Sequence, residues 1–256
     1  MIRLNNLLKG LMINPSRIYL KQFVKESSHF LPPGSFVLDA GAGHSPYREL
    51  FSHMNYEAAD FCKLDDPPYV EIDYVCDLTS IPVLDERYDL IICTQVLEHV
   101  PDPQAVLLEL KRTLKPGCEL WISAPFFYKE HQIPYDFYRY TQFGIRNLLQ
   151  LAGFQIKRFE KLEGYYATLA YQLHLAAVNL PVSWKQYGGG FLGLCVSMGV
   201  LLIKPIFFLL ALMFSRLDLR SKNTTDGHCK NYAIVALKPH PNQGTNLTSN
   251  TPISKI

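Results

Sequence analysis

Short apolar runs alternate with stretches of helical periodicity over most of the chain. The strongest run is 88–94 (YDLIICT), which is apolar on both faces, as expected of a strand buried inside a parallel sheet. Similar runs predict further strands at 35–39, 56–60, 74–77, 119–124, 154–160 and 232–237. Because short buried strands that alternate with helices form a doubly wound sheet, the pattern predicts an α/β fold with helices on both faces.

Capping and stop signals place the expected helices between these strands. Asp102 followed by Pro103 is typical of an N-cap and a first helical residue, and 115–117 (KPG) is a stop signal. We predict helices at 16–30, 46–53, 102–115 and 142–152.

The same pattern divides the chain into five parts. We expect an N-terminal helical extension at 1–34 and a core at 35–161. An apolar helical insertion at 162–230 separates this core from the last core strand at 231–238. The polar residues 239–256 predict a disordered tail.

Composition limits the class of partner more than it limits the fold. The hydrophobic content of 48% over 256 residues suffices for one full α/β core. Charged residues make up 19% and the formal net charge is +2, so there is no basic signal for a nucleic-acid partner. The six cysteines lack CxxC pairing and metal-ligand spacing, which favours reduced thiols in a cytoplasmic protein without a metal site.

Glycine and acidic residues follow the first three predicted strands. The segment 39–43 (DAGAG) comes directly after the first strand, Asp60 ends the second and Asp77 ends the third. Glycine lets a ligand approach the backbone closely, and a carboxylate at a strand end accepts hydrogen bonds from ribose hydroxyls or an amino group. Because ligands of open α/β sheets bind outside the carboxyl ends of the strands, we expect these residues to face one crevice.

Six motifs occur in a characteristic order and spacing between about residues 35 and 160. They are 37–43 (VLDAGAG), Asp60, 76–78 (CDL), 88–92 (YDLII), 96–100 (VLEHV) and 114–117 (LKPG). Together they resemble the class I S-adenosylmethionine-dependent methyltransferases of the type 11 group. The resemblance implies a methyl-transferring enzyme with S-adenosyl-L-methionine as cofactor. It also implies a seven-stranded Rossmann-like sheet whose last strand is antiparallel.

The resemblance also assigns the cofactor-side residues. Those implied are Asp39, Gly41 and Gly43 for the methionine end, Asp60 for the ribose, and Asp77 with Leu78 for the adenine. Ser45 stands where the family often has a third glycine, and its hydroxyl and amide can still meet a carboxylate. Thr94, at the end of the fourth strand, and the adjacent Gln95 are expected to shape the floor of the pocket.

A nicotinamide-dependent dehydrogenase is the nearest rival on the same fold. Its GxGxxG fingerprint needs a third glycine for close packing of helix on strand, and Pro46 stands at that position here. A non-catalytic, membrane-associated scaffold that keeps the methyltransferase fold is a second alternative. The intact Gly41, Gly43, Asp60 and Asp77 weigh against it.

The segment 131–141 (HQIPYDFYRYT) follows the fifth strand and is dense in aromatic and hydrogen-bonding groups. It resembles the His-x-x-Pro-x-Asp-(Phe/Tyr)-x-Arg-Tyr-Thr segment of methyltransferases associated with glycan and surface-polysaccharide biosynthesis. His131 is the first candidate for a general base or acceptor contact, and His99 is the second. The candidate substrate-binding residues are Tyr135, Asp136 and Arg139.

Both assignments have a structural alternative. His131, Asp136 and Arg139 can hold their own loop together by an ion pair and hydrogen bonds, without touching a substrate. His99 can cap the segment that follows it. The sequence leaves these alternatives open.

The insertion contains an apolar stretch, 191–214, interrupted at Lys204 and Pro205. Its arms of 13 and 9 residues are too short for two membrane crossings, and one crossing would separate 232–237 from its sheet. We expect membrane-surface contact, with basic groups facing anionic headgroups at Arg216, Arg220 and Lys222. A homodimer interface or a substrate lid is the alternative.

These features predict methyl transfer to a small or lipid-linked acceptor, with a glycan precursor as the leading candidate. A quinone-ring methyltransferase is the alternative within the same chemistry. The expected location is cytoplasmic and peripheral, on the inner face of the membrane.

Overall fold

The computed structural model describes residues 13–62, 71–225 and 227–241. Within these ranges the elements are α1 Pro15–Ser28, β1 Phe36–Ala40, β2 Asn55–Asp60, β3 Tyr74–Val75, β4 Tyr88–Thr94, α2 Pro103–Thr113, β5 Leu114–Pro125, α3 Gln142–Leu151, β6 Gln155–Lys161, α4 Tyr165–Asn179, α5 Gly190–Arg220 and β7 Asn231–Leu237. Short 3-10 turns occur at Arg48–Phe51, Leu97–His99 and Trp184–Tyr187.

The seven strands form one sheet in the order β3-β2-β1-β4-β5-β7-β6. Strands β1 to β5 run parallel, and β7 is antiparallel to both of its neighbours. This confirms the predicted fold class, including the antiparallel last strand and the apolar helix between β6 and β7. Asp39 is paired with Ala58 on β2 and with Ile92 on β4, so these three strands end at a common edge.

Each face of the sheet carries its own hydrophobic core. On one face α2 and α3 bury Val106, Leu110 and Ile145 against the sheet. On the other face α1 packs Phe23 against Trp121 of β5, with ring centroids 4.8 Å apart. Helices on both faces are what a parallel sheet with apolar strands requires, because neither face can remain in water.

Two predicted element boundaries were wrong. The helix expected at 46–53 is only the 3-10 turn Arg48–Phe51, because Ser45 has a φ of 46° and its amide donates to the Ala42 carbonyl in a tight turn. The stop signal 115–117 lies inside β5, and α2 ends earlier, at Thr113. Residues 115–117 still turn the chain, because they lie in an irregular part of β5 between Leu114 and Glu119, where Gly117 has a φ of 78° and its amide donates to the Lys238 carbonyl at 2.7 Å.

The insertion forms an antiparallel helical hairpin of α4 and α5. Near the core, the Tyr166 and Phe214 rings stack with centroids 6.1 Å apart. Farther out, Lys204 donates its ammonium to the Leu180 carbonyl at 2.7 Å, just beyond the end of α4. Lys204 and Pro205 interrupt the apolar run but not the helix, because α5 continues through the proline and has 31 residues in all, a length of about 46 Å.

Some predictions fall on residues outside the described ranges. These include most of the disordered tail at 239–256 and the first part of the N-terminal extension at 1–34. The limits of the predicted parts, 35–161 and 162–230, remain predictions, although β6 and α4 do meet near residue 162.

Candidate active site

A cavity of about 460 Å³ lies outside the carboxyl ends of the central strands. Its walls come from the loops after β1, β2, β3 and β4 and from the segment after β5. The lining includes Arg17, Gly41, Gly43, His44, Asp60, Phe61, Asp77, Leu78, Thr79, Gln95, Val96, His99, Gln132, Tyr135 and Phe137. The glycine loop and the two acidic strand ends predicted from sequence therefore share one cavity.

The two glycines of the loop serve different purposes. Gly41 has a φ of 79°, and a Cβ built on it would lie 2.3 Å from Cγ2 of Val96. Gly43 has a φ of 51°, and nothing lies within 4 Å of the position its Cβ would take. Packing against Val96 therefore explains Gly41, whereas only Gly43 has the open approach to a ligand that was expected of both.

Asp60 joins the glycine loop to the end of β2. Its Oδ2 accepts a hydrogen bond from the Gly43 amide at 2.9 Å, and its Oδ1 accepts one from the Cys62 amide at 2.9 Å. The side chain is nearly buried at 7% exposure. Because each carboxylate oxygen can accept two hydrogen bonds, Asp60 can hold the loop and still accept from hydroxyls in the cavity.

Asp77 and Leu78 form a polar and an apolar part of the same wall. Asp77 accepts hydrogen bonds from the amide of Thr79 at 2.9 Å and from its hydroxyl at 2.8 Å, which fixes the turn after β3. Leu78 is buried and packs in the core. A flat aromatic base with an amino group at its edge matches this pair.

Three predicted cofactor residues are not among those lining the cavity. Asp39 lies buried at the end of β1, where the Tyr56 hydroxyl donates to it, and burial raises the pKa of its carboxyl to about 7. Ser45 is buried in the turn behind the loop. Thr94 is paired with Ser123 at the end of β4.

The two candidate bases are in contact, but only His99 lines the cavity, whereas His131 does not. Nδ1 of His99 lies 2.5 Å from the Tyr135 carbonyl oxygen, which can only accept, so Nδ1 carries the proton and Nε2 keeps its lone pair. Burial lowers the pKa of His99, which favours the neutral ring. The ring of His131 stands edge to face with that of His99, with centroids 4.6 Å apart.

The expected substrate residues divide between cavity and loop. Tyr135 lines the cavity and packs edge to face on Phe61. Asp136 and Arg139 instead form an ion pair, with N–O distances of 2.6 and 2.8 Å. Hydrogen bonds from Arg139 hold the pKa of Asp136 well below its usual range. For these two residues the arrangement matches the loop-stabilising alternative.

Among the residues at this site that sequence reasoning missed, Arg17 and Glu98 are charged groups. Arg17 lines the cavity from α1, which was assigned to the N-terminal extension, and no local signal marks it. Glu98 is fully buried beside His99, and burial raises the pKa of its carboxyl to about 8. The Glu-His pair was visible in the 96–100 motif, but only its histidine was given a chemical role.

The sheet order, the antiparallel last strand and the cavity at the glycine loop together define the class I methyltransferase fold. The chain belongs to the methyltransferase-domain family, whose model matches residues 17–158, more than half of the chain. This match confirms the expected class of S-adenosylmethionine-dependent methyltransferases.

Similar sequences include proteins with different acceptors. The ubiquinone biosynthesis O-methyltransferase of Coxiella burnetii is 32% identical over 124 residues, which is 44% of this chain and 50% of that protein. The probable tRNA methyltransferase 9B of Homo sapiens is 32% identical over 113 residues, which is 40% of this chain and 23% of that protein. The chain thus spans about half or less of these curated relatives.

Solved structures share the fold at low identity. The (4+2) cyclase SpnF has a TM-score of 0.54 at 17% identity, covering 88% of this chain and 81% of its own. A candidate sarcosine dimethylglycine methyltransferase from Galdieria sulphuraria has a TM-score of 0.51 at 16% identity, covering 93% and 97%. At these identities the likeness concerns the fold alone.

Proposed function

We propose that the protein transfers a methyl group from S-adenosylmethionine to a small or lipid-linked acceptor. One observation carries this proposal: Gly43, Asp60 and Asp77, from three neighbouring strand ends, line a single cavity. A nucleoside with an attached amino acid has the chemistry that this set of groups recognises. Family membership supports the same reaction class.

The residues present fit this cofactor. The open backbone at Gly43 suits the methionine end, Asp60 the ribose hydroxyls, and Asp77 with Leu78 the adenine. When bound, S-adenosylmethionine supplies an electrophilic methyl group on a sulfonium. The protein then contributes mainly proximity and orientation of the acceptor.

His99 lines the cavity where an acceptor hydroxyl would need to lose its proton, and His131 packs on the His99 ring without lining the cavity itself. Transfer of the methyl group to that oxygen would release the hydroxyl proton, which Nε2 of His99 would accept. Nε2 of His99 has a free lone pair in the orientation that Tyr135 imposes. Tyr135 and Phe137 give this end of the cavity an aromatic wall.

The leading acceptor is a lipid-linked glycan precursor. The segment 131–141 supports a glycan, through its resemblance to enzymes of surface-polysaccharide biosynthesis. A quinone ring is the second candidate, favoured by the similarity to the Coxiella burnetii ubiquinone enzyme. Incubation of membrane extract with methyl-labelled cofactor separates a lipid acceptor, which carries label into the organic phase, from a water-soluble one.

We further propose that α5 contacts the cytoplasmic surface of a membrane. It is the one helix in the described ranges that is long and apolar enough to cross a bilayer, and only 11% of its most apolar window is buried. Phe191, Leu192 and Leu202 are at least 70% exposed. Arg216 and Arg220 are exposed near the other end, where anionic headgroups would attract them.

Calorimetric titration with S-adenosylhomocysteine tests the cofactor site. We expect Asp60→Asn and Asp77→Asn to weaken binding at least tenfold, about 1.4 kcal/mol each, because both remove a charged acceptor from the cavity. Asp85→Asn is the matched control, since Asp85 is an exposed carboxylate paired with Arg112.

We expect His131→Ala to bind S-adenosylhomocysteine normally and to lose turnover. A wild-type protein that releases no heat would leave the scaffold alternative.

A further inference from the structure

Glu98 is a buried carboxylate whose hydrogen-bonding capacity is not met. It is 0% exposed, and neither carboxylate oxygen has a hydrogen-bond partner among the residues that the structure describes. A buried carboxylate without donors loses its hydration and gains nothing in return, unless a proton or a cation joins it. The surroundings of Glu98 therefore decide what satisfies it.

Two imidazoles stand beside this carboxylate. One ligand-type atom each from Glu98, His99 and His131 lies within 4.8 Å of the other two. Nε2 of His99 is 3.8 Å from Oε1 of Glu98, too far for a hydrogen bond. Two imidazole nitrogens and one carboxylate oxygen are a ligand set that divalent transition metals use, with the remaining positions open.

Each imidazole is oriented through its other nitrogen. Nδ1 of His99 donates to the Tyr135 carbonyl at 2.5 Å. Nδ1 of His131 faces Oδ2 of Asp136 at 3.4 Å and the Lys129 carbonyl at 3.3 Å. Metal-binding histidines are usually held in this way, by a carbonyl or a carboxylate on the nitrogen that does not bind the metal. Both rings thus keep Nε2 available.

We propose that Glu98, His99 and His131 bind a divalent transition-metal ion beside the acceptor end of the cavity. His99 lines the cavity, so an ion on its Nε2 is within reach of an acceptor oxygen. In the metal-bound protein His99 and His131 are ligands, and the ion takes over the activation of the hydroxyl that Nε2 of His99 provides in the metal-free protein. The role of the ion in holding that oxygen rests on the proposed function, whereas binding of the ion does not. The expectation of no metal site rested on cysteine spacing and could not include ligands that different strands bring together.

Cobalt(II) alone is a suitable probe, because its visible absorption reports the ligands around it. We expect metal-stripped protein to take up one equivalent, and Glu98→Gln and His131→Ala to weaken uptake at least tenfold. Glu98→Asp keeps the charge and should retain part of the affinity. His174→Asn is the matched control, since His174 is a partly buried imidazole on α4 beside Phe208, and it should bind like wild type. Mg²⁺, which prefers oxygen ligands, should bind at least tenfold more weakly.

Two results would overturn the proposal. One is wild-type protein that takes up no cobalt, and the other is Glu98→Gln, still folded by circular dichroism, that binds as wild type does. Titration of the metal-stripped protein with S-adenosylhomocysteine separates the metal site from the methyltransferase function. Heat of S-adenosylhomocysteine binding without cobalt uptake would support the methyltransferase function and contradict the metal site. Cobalt uptake without heat of S-adenosylhomocysteine binding would support the metal site and contradict the methyltransferase function.

Discussion

The two glycines after β1 belong to one motif but meet different structural requirements. A side chain on Gly41 would collide with Val96, whereas one on Gly43 would enter the cavity. The motif alone treats both as contacts to a ligand. The contact distances separate a packing requirement from a binding requirement.

Alanine substitutions test this division. Gly41→Ala should lower the free energy of unfolding by about 2–4 kcal/mol, through overpacking and a left-handed φ. Gly43→Ala should cost about 1–2 kcal/mol and weaken S-adenosylhomocysteine at least tenfold. Urea unfolding and calorimetry measure the two effects. Combining Gly41→Ala with Val96→Ala should cost less than the sum of the single changes, and simple additivity would contradict the packing explanation.

Asp39 makes stability depend on pH. Burial raises the pKa of its carboxyl from 3.8 to about 7, so between these values the folded protein holds a proton that the unfolded chain has released. Raising the pH through this window therefore destabilises the protein, by about 1.4 kcal/mol per pH unit from this group. Asp39→Asn removes the effect and keeps an acceptor for Tyr56.

The stability of Asp39→Asn relative to wild type should therefore rise as the pH increases from about 5 to about 8. Urea unfolding of the ligand-free proteins at several pH values measures this difference. A difference that does not change with pH would show that Asp39 is already ionised at the lower value.

Among the elements, the α4–α5 hairpin depends on a buried carboxylate at its base. Asp218 on α5 is fully buried and accepts hydrogen bonds from the amides of Gly164 and Ala167 at the start of α4. No side chain of α4 itself caps this end, where Gly164 is the N-cap. A carboxylate at a helix N-terminus accepts hydrogen bonds from the free amides and interacts favourably with the positive end of the helix dipole.

We expect Asp218→Ala to lower the free energy of unfolding by about 2–3 kcal/mol, because it leaves buried amides without an acceptor. Asp218→Asn keeps one acceptor oxygen and should cost less. Arg220→Ala serves as the control, because Arg220 is exposed and lies two residues after Asp218 on the same helix. Equal stability of all three variants in urea unfolding would remove Asp218 as the anchor of the hairpin.

The sheet domain and the α4–α5 hairpin differ in how much apolar surface they leave exposed. The sheet is covered on both faces, whereas α5 leaves a row of large apolar side chains exposed. Contiguous exposed apolar surface of this kind marks an interaction site. The proposed partner is a lipid surface, and a second copy of the chain is the alternative.

Vesicle flotation distinguishes these partners. Wild-type protein should float with vesicles of phosphatidylcholine and phosphatidylglycerol. The triple change Leu192→Ser, Leu202→Ser, Leu209→Ser should reduce the bound fraction at least tenfold. The reason is that each leucine contributes about 1.5–3 kcal/mol when it is buried in the lipid. The matched control changes three exposed apolar residues elsewhere, Leu84, Phe143 and Leu151. Dimers in light scattering without flotation would favour the homodimer.

Local patterns along the chain were sufficient to predict the sheet and the position of the glycine loop, because strand burial and loop chemistry depend on residues that are close in sequence. The antiparallel last strand was predicted only through the resemblance to the methyltransferase family. Tertiary contacts decided the rest. Residues 115–117 became an irregular part of β5 and not a loop between elements, and Val96 explained Gly41. The meeting of Glu98, His99 and His131 depends on loops from two different strands. Spacing along a chain does not report such distances, since only the folded sheet determines which loops become neighbours.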